Sequence, residues 1–472
     1  MTTHHVRTLG LAALVLAAAC NEVTPPEGLP PSIDAQLRQS LQQWSVVPIG
    51  GMPQQSPALV ALGQALMFDK VLSGNRDIAC ATCHLPSEHT TDGLPLAIGT
   101  GGTGLGPSRT LGPGRQFVPR NAPSLLNTGL GLFYVFWDGR VARFGPGPGA
   151  FQTPAGTALP PSLPNVLAAQ AMFPVTNRRE MRGEPGDLDV FGNPNELAQF
   201  GDSQWVEMWH AVMQRLLAIP EYVTLFNAAF PGTPTNQLGF QHAATAIAAF
   251  QMSALTKTNS PFDRYLARDD GALSADAKRG ALLFFGTPFT PGTRILPVPL
   301  QTQARCATCH RGPFLGGGEF ANTGAPQLGP GVGASAPLDV GRGGVIDNNP
   351  FYRFTFRVTP LRNVELTAPY FHDGVYSTLE AVVRHYNDVN RALRGFDVSQ
   401  LAPAVRDQYH GDAATLDSIL MTLDFRVRTP LNLTDSEIGD LVAFLKSLTD
   451  PAARDLNALV PARVPSGLPV QD

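Results

Sequence analysis

The sequence predicts a mainly α-helical fold made of two related units and long connecting loops. Apolar side chains recur at helical spacing in several segments, such as residues 204–217, and no long run alternates as a half-buried strand does. The pentapeptide CATCH occurs at residues 80–84 and again at 306–310, each time after a Gly-x-x-Leu-x-Phe pattern that begins at Gly63 or Gly280. The 47 Gly and 43 Pro residues exceed average usage and indicate many ordered loops.

Length and charge narrow the classes of protein to which the chain can belong. At 472 residues it is long for one hydrophobic core, which predicts two domains preceded by a leader. The formal net charge is -4, and no run of Lys or Arg provides the positive surface that nucleic acid or anionic lipid attracts. We therefore expect no nucleic-acid partner and no electrostatic binding to a membrane.

The N-terminus has the pattern of an export signal. Arg7 precedes an apolar run at residues 9–19 that is too short to span a bilayer. Three alanines then precede Cys20, which is similar to a bacterial lipoprotein cleavage site, with Leu16 one place further back than usual. We expect a signal peptide at residues 1–20 and a periplasmic protein anchored to the outer membrane by lipid on Cys20. The alternative is an ordinary signal peptide, which would leave Cys20 as a free thiol.

The chain after the leader divides into three parts. Residues 21–57 are rich in Pro and Gln and are predicted to form a tether. The two copies of the repeated pattern then define an N-terminal unit at 58–258 and a C-terminal unit at 259–472. Residues 259–280 look like the joint between the units, and Ser274 within them is a helix start.

Four segments have the periodicity or the caps of helices. Residues 204–217 and 242–255 carry apolar side chains at helical spacing. In the first of these the predicted inward face consists of Val206, Trp209, Met213 and Leu216. Two capping boxes predict later helix starts, one at Ser377 with Glu380 and one at Thr434 with Glu437.

Both CATCH motifs have the C-x-x-C-H pattern of a c-type haem attachment site. In this chemistry the two thiols add to the vinyl groups of haem, and the next His supplies the proximal nitrogen to iron. Two copies predict two covalently bound c-type haems, one held by Cys80, Cys83 and His84 and one by Cys306, Cys309 and His310.

The same cysteines also suit a zinc site or a pair of redox dithiols. Four cysteines can form a zinc site, and each pair can form a redox dithiol. The zinc interpretation does not explain why a His follows each pair directly, and the dithiol interpretation lacks a βαβ context. Two haems therefore explain the motifs better than either alternative.

The far side of each haem decides between electron transfer and catalysis, because a strong sixth ligand blocks small molecules. No Met occurs between residues 253 and 420, so a Met ligand for the second haem would have to come from far away. On the predicted helix at 377–387, Tyr386 shares the apolar face and His385 points elsewhere. Tyr386 is the candidate, and the alternative is a core tyrosine with its hydroxyl bonded to backbone.

Several blocks of sequence carry a family resemblance. They run in order over most of residues 58–450, and together they resemble the bacterial di-haem cytochrome c peroxidase and MauG family. The resemblance implies two cytochrome c-like haem domains. Besides the CATCH motifs, the blocks are RNAPSLLN at 120–127, FWDGR at 136–140, NSPFDRYL at 259–266, LRNVELTAPYFHDG at 361–374 and LTDSEIGDLVAFLKSL at 433–448.

The resemblance implies roles for three catalytic residues. In the family the N-terminal haem reacts with peroxide, the C-terminal haem stores or relays electrons, and a Trp lies between them, which is Trp137 here. Gln170 and Glu180 match the distal residues of the peroxide pocket. Glu180 would move a proton between the two peroxide oxygens and Gln170 would orient peroxide or water; a positioned acid/base contributes about 10²–10⁴-fold. The alternative for Glu180 is a solvated side chain beside basic neighbours.

The resemblance also implies a calcium ion where the two domains meet. Asn121 matches its side-chain ligand, and Thr367 and Pro369 match the residues that supply backbone oxygens. Calcium favours oxygen ligands of these kinds together with water, so the chemistry is reasonable.

The chain departs from the family pattern at two positions. Many members carry a removable distal His in the loop after the first motif; that place falls near Thr100, and His89 is out of register. The first haem is therefore expected to be open without prior reduction. Tyr386 stands where many members have Met, and in this respect the chain resembles MauG-like members, which have Tyr. An anionic oxygen ligand lowers the reduction potential of haem iron.

These features predict a di-haem peroxidase that reduces hydrogen peroxide at the N-terminal haem. Electrons would come through the C-terminal haem from a small cytochrome c or copper protein. One alternative is a MauG-like enzyme that oxidises residues of a partner protein. Another is a non-enzymatic di-haem electron carrier with two six-coordinate irons.

Overall fold

The computed structural model describes residues 31–52, 54–145, 150–286, 306–346 and 349–471. Cys20, the predicted signal peptide and the first ten residues of the predicted tether lie outside them. The described residues are mostly helical with little sheet, as the sequence predicts. None of their helices is both long and apolar enough to cross a membrane.

Thirteen α-helices lie within the described residues, joined by many short 3₁₀ turns. They are α1 (Ile33–Gln43), α2 (Pro57–Phe68), α3 (Cys80–Cys83), α4 (Val166–Ala171), α5 (Trp205–Leu217), α6 (Pro220–Ala229), α7 (Phe240–Ala254), α8 (Pro261–Leu266), α9 (Ala275–Phe285), α10 (Leu379–Asn387), α11 (Val389–Arg394), α12 (Ala413–Met421) and α13 (Asp435–Lys446).

The strands of the described residues are only two or three residues long. They form two small antiparallel sheets, one with three strands in the order β1-β2-β3 and one that pairs β4 with β5. The strands are β1 (Tyr134–Val135), β2 (Val141–Arg143), β3 (Phe151–Gln152), β4 (Phe320–Ala321) and β5 (Phe356–Arg357).

Most of the predicted helix starts are confirmed. Ser274 caps α9, and Thr434 forms the predicted capping box of α13 with Glu437. The prediction at Ser377 is wrong by one residue, because Thr378 is the cap and its hydroxyl accepts the N–H of Ala381. Thr and Ser serve equally as caps, so spacing alone could not separate two neighbours.

Helix α5 confirms the predicted segment but not its whole apolar face. Trp209, Met213 and Leu216 are buried, whereas Val206 is 56% exposed. Met208, Val212 and Arg215 are buried as well, so the inward face of the helix is rotated away from Val206.

Two hydrophobic cores organise the described residues. The first contains α2 and α4 to α7, and the second contains α1, α8, α9, α10 and α13. In each core a glycine of the repeated pattern lies at a helix crossing: a Cβ on Gly63 would be 1.9 Å from the carbonyl oxygen of Ala246, and one on Gly280 would be 1.9 Å from that of Asp440. The repeated Gly thus permits the same close crossing, α2 on α7 and α9 on α13.

The two chain ends pack on opposite cores. Leu37 and Leu41 of α1 are buried in the second core, so part of the predicted tether is a docked helix. Ala453 and Val464, near the C-terminus, belong to the first core. The unit boundaries in sequence therefore do not coincide with the cores at either end.

The helix crossing yields a test of stability. Gly280→Ala should lower the free energy of unfolding by about 1–3 kcal/mol, because the added methyl group meets a backbone carbonyl. The matched control is Gly439→Ala on α13, where a Cβ meets nothing within 4 Å. Because Ala is the better helix former, the control should stabilise by about 0.5–1 kcal/mol. Thermal unfolding measures both, and equal effects would contradict the crossing.

Candidate functional site

Each CATCH motif lies at the edge of one core and lines a separate cavity. The first cavity is about 350 Å³ and is lined by Cys80, Cys83 and His84. The second is about 200 Å³ and is lined by the second motif's Cys306, Cys309 and His310. None of these four cysteines forms a disulfide within the described residues. Burial raises the pKa of Cys80 to about 12 and that of Cys309 to about 11.

The two histidines are oriented in the same way. Nδ1 of His84 is 3.0 Å from the carbonyl oxygen of Thr90, and Nδ1 of His310 is 3.0 Å from that of Leu315. A backbone bond at Nδ1 fixes the ring so that Nε2 is the nitrogen available to a metal. Burial lowers the pKa of both rings, which keeps them neutral as a ligand must be. Two buried thiols and an oriented imidazole in each cavity fit a c-type haem.

Glu180 and Gln170 both line the first cavity. Gln170 lies on α4, and Glu180 lies in a π-helical turn, Arg178–Arg182, that is capped by Asn177. Oδ1 of Asn177 accepts the N–H groups of Arg179 and Glu180 at 3.0 and 3.2 Å. The turn thereby fixes the backbone that directs the Glu180 side chain into the cavity.

Burial and the nearby cations act in opposite directions on the pKa of the Glu180 carboxyl. Burial raises the pKa of its carboxyl, and the cations Arg140 and Arg120 pull that pKa back down. The basic neighbour Arg178 binds Asp202 at 2.9 Å. The side chain therefore faces an enclosed cavity rather than the solvated basic surface of the alternative interpretation.

No second histidine lines the first cavity within the described ranges. The Thr100 hydroxyl donates to Asp77 at 2.8 Å, and Nδ1 of His89 is 3.2 Å from the carbonyl oxygen of Ala453. Two thioethers, those of Met67 and Met181, do line this cavity.

Tyr386 lines the second cavity and His385 does not, as the helix periodicity predicts. His385 instead bonds the Tyr376 hydroxyl at 3.0 Å and the carbonyl oxygen of Thr323 at 2.8 Å. Burial raises the pKa of Tyr386. The structure thus brings a phenol, and not the neighbouring imidazole, to this cavity.

His372 is a cavity residue that the sequence did not single out. It lines the second cavity and stacks on Phe356 with ring centroids 3.5 Å apart. Burial lowers its pKa to about 3, and its Nε2 has no hydrogen-bond partner among the described residues. The only available signal was its place in a block shared with the family, which does not distinguish a lining residue from a packed one.

Trp137 lies between the two cavities and lines both. Its indole N–H donates to the carbonyl oxygen of Asn121 at 2.9 Å. Its own carbonyl oxygen accepts the N–H of Arg357 at 2.8 Å, which ties it to β5. The side chain is therefore held from both sides at the wall that the cavities share.

A third cavity, of about 110 Å³, brings together the three residues of the predicted calcium site. Asn121, Thr367 and Pro369 line it, and Nδ2 of Asn121 donates to the Leu94 carbonyl oxygen at 2.8 Å. No Asp or Glu lines it in the described part of the chain. No cluster of three or more His, Cys, Asp or Glu there could hold a metal, so calcium would rely on neutral oxygens.

A buried ion-pair network forms a wall of the first cavity. The Arg120 guanidinium donates to Asp138 at 2.6 Å and to both oxygens of Asp339 at 2.6 and 2.9 Å. The nearby cations hold the pKa of Asp138 below its usual range although burial opposes this. Sequence reasoning missed the network because Asp339 lies 219 residues from Arg120.

Two covalent attachment sites with separate cavities and a shared Trp wall define a di-haem protein of the c type. A family model described as di-haem cytochrome c peroxidase matches residues 57–271. Cytochrome c551 peroxidase of Pseudomonas aeruginosa is 32% identical over 324 residues, which are 68% of this chain and 69% of that protein. The chain belongs to the di-haem cytochrome c peroxidase family. Its cofactors are accordingly two c-type haems, and it is an oxidoreductase that acts on peroxide.

Other relatives and solved structures agree with this. The methylamine utilization protein MauG of Methylorubrum extorquens is 29% identical over 427 residues, covering 90% of this chain and 88% of that protein. The crystal structure of a MauG-like protein associated with microbial copper homeostasis matches with a TM-score of 0.56, 24% identity and coverage of 87% and 96%. The diheme peroxidase BthA from Burkholderia thailandensis matches with a TM-score of 0.53 and 20% identity, covering 87% and 93%. At these identities the structures show the fold alone.

Separate attachment in the two cavities has a direct test. The double substitution Cys80→Ala and Cys83→Ala should leave one covalent haem per chain, because only the second motif keeps its thiols. Substituting Cys306 and Cys309 in the same way should also leave one, and the unaltered protein should carry two. Pyridine haemochrome absorbance and the mass of the denatured chain measure the number. Two covalent haems in either variant would contradict the assignment.

Proposed function

We propose that the protein reduces hydrogen peroxide at the haem of the first cavity and receives electrons through the haem of the second. The observation that carries this proposal is the asymmetry of the cavities. Glu180 and Gln170 face the first, which has no histidine besides His84 among its described lining residues, whereas Tyr386 faces the second. Each haem, when bound, supplies an iron that exchanges electrons with peroxide or with the other haem.

Glu180 is the proton-handling group of this proposal. Reduction of peroxide to two waters takes up two electrons and two protons and requires a proton on the oxygen that leaves. Burial raises the pKa of Glu180, so its carboxyl can hold a proton nearer to neutral pH than an exposed Glu does. The Gln170 amide can donate to one peroxide oxygen and accept from the other, which orients the substrate.

Trp137 is the proposed route for electrons between the haems. It lines both cavities, and its bonds at the indole N–H and at the carbonyl oxygen hold it in the shared wall. Tyr386 is the proposed oxygen ligand of the second haem. Calcium is proposed at the third cavity, with the Asn121 side chain and the Thr367 and Pro369 backbone oxygens as ligands, since these residues line it together.

The proposed donor is a small cytochrome c or copper protein, and the proposed location is the periplasm with a lipid anchor at Cys20. Tyr386 supports a second candidate, oxidation of a partner protein's side chains as in a MauG-like enzyme. Its phenol lines the second cavity, and an oxygen ligand from it would lower the reduction potential of the second haem. A low potential stabilises oxidised iron, which suits an enzyme that keeps oxidising equivalents on this haem better than one that stores an electron there.

Glu180→Gln tests the proton-handling role. Loss of the carboxyl should slow the reaction with peroxide about 10²–10⁴-fold, while both haems remain attached. The matched control is Glu184→Gln, the same change on an exposed residue four places further on, which should react at the unaltered rate. Stopped-flow absorbance after one equivalent of peroxide measures the rate. Full reactivity of Glu180→Gln would remove this role. If the iron of the unaltered protein is all low-spin and does not react with peroxide, the protein is an electron carrier instead.

Tyr386→Phe tests the ligand of the second haem. Removing the hydroxyl should change the electron paramagnetic resonance and absorption signals of that haem and leave those of the first. Tyr376→Phe is the control, because Tyr376 is also a buried tyrosine but bonds His385 and does not line the cavity. A spectrum of Tyr386→Phe that matches the unaltered protein would return Tyr386 to a packing role.

A further inference from the structure

Arg357 lies where the three cavities meet. It is the last residue of β5, and its side chain lines all three cavities while being only 8% exposed. Nε donates to the carbonyl oxygen of Phe136 at 3.2 Å, and Nη1 has no hydrogen-bond partner among the described residues. Burial lowers the pKa of Arg357 to about 10, so the group is still a cation at neutral pH.

The other arginines of the cavities differ from Arg357 in one respect. Each of them pairs with a carboxylate of the chain, within the described residues: Arg120 with Asp138 and Asp339, Arg140 with Asp138, Arg362 with Asp263, and Arg426 with Asp424 and Glu319. Arg357 has no such pair there, and burial is the only influence on its pKa.

A buried cation of this kind requires an anion, because an uncompensated charge in a protein interior is strongly unfavourable. Neither the first nor the second cavity offers Arg357 a carboxylate of the chain at bonding distance, but each fits a haem, and every haem carries two propionate carboxylates. A guanidinium presents donors in a planar fork that suits carboxylates and can serve two at once.

We propose that Arg357 binds propionate carboxylates of both haems and that its single charge sets both reduction potentials together. Arg357 is a positioning residue in this proposal. The inference rests on the proposed function only in placing one haem in each cavity, and it does not depend on which haem meets peroxide. A cation near haem stabilises the reduced, less positive iron, so its loss should lower the potentials of both haems.

The test uses the full-length protein with both haems attached. Arg357→Met removes the charge at similar volume and should shift the reduction equilibrium of each haem at least tenfold, which is 59 mV for a one-electron couple. Arg357→Lys keeps a cation and should restore most of both shifts. Arg426→Met is the control, because Arg426 lines the second cavity and not the first and should alter the second haem alone. Spectroelectrochemical titration measures each potential.

The proposal is overturned if Arg357→Met leaves both potentials unchanged or moves only one. If Arg357→Met does not retain two haems, resonance Raman spectra of Arg357→Lys decide, with displaced propionate bending bands expected for both haems. Bands identical to those of the unaltered protein would overturn the proposal in that case. The peroxide reaction is measured on the same samples, so an inert unaltered protein would remove the proposed function without affecting the outcome for Arg357.

Discussion

The bonds of Arg120 to Asp138 and Asp339 are the interaction on which the seam between the two halves depends. They join residues of the first unit to a segment of the second, and all three side chains are buried. A buried ion pair adds little stability over an apolar pair, yet removing one partner costs about 3–5 kcal/mol because a charge is left uncompensated. Arg342 reinforces the seam by donating to the carbonyl oxygens of Asp138 and Gly139.

This seam also positions Trp137, the residue proposed to carry electrons between the haems. Trp137 directly precedes Asp138, so the ion pair that holds Asp138 also holds the indole in the wall between the cavities. Strand β5, which carries Arg357, is bonded to Trp137, because the Arg357 N–H donates to the Trp137 carbonyl oxygen. The wall shared by the two cavities is therefore held by hydrogen bonds and ion pairs from both halves of the chain.

Sequence patterns predicted the features that depend on residues close together in the chain. The convergence of each motif's thiols and imidazole on one cavity, the cap at Thr434 and the inward direction of Tyr386 depend on neighbours within a few residues, and the structure shows these placements. Arg357 could not be found in this way, because its lack of a carboxylate partner among the described residues is a property of three cavities built from distant segments. The docking of α1 was missed for a similar reason, since Leu37 and Leu41 meet side chains more than two hundred residues away.

A segment from each end of the described chain packs in the core of the other half, and this affects how the molecule folds. The first core includes Ala453 and Val464, which follow the second CATCH motif, while the second includes α1, which precedes the first motif. Neither core is therefore complete with the residues of one repeat alone. A gene cut between the two repeats would yield fragments that each lack a piece of their own interior, although the repeats look self-contained in the sequence.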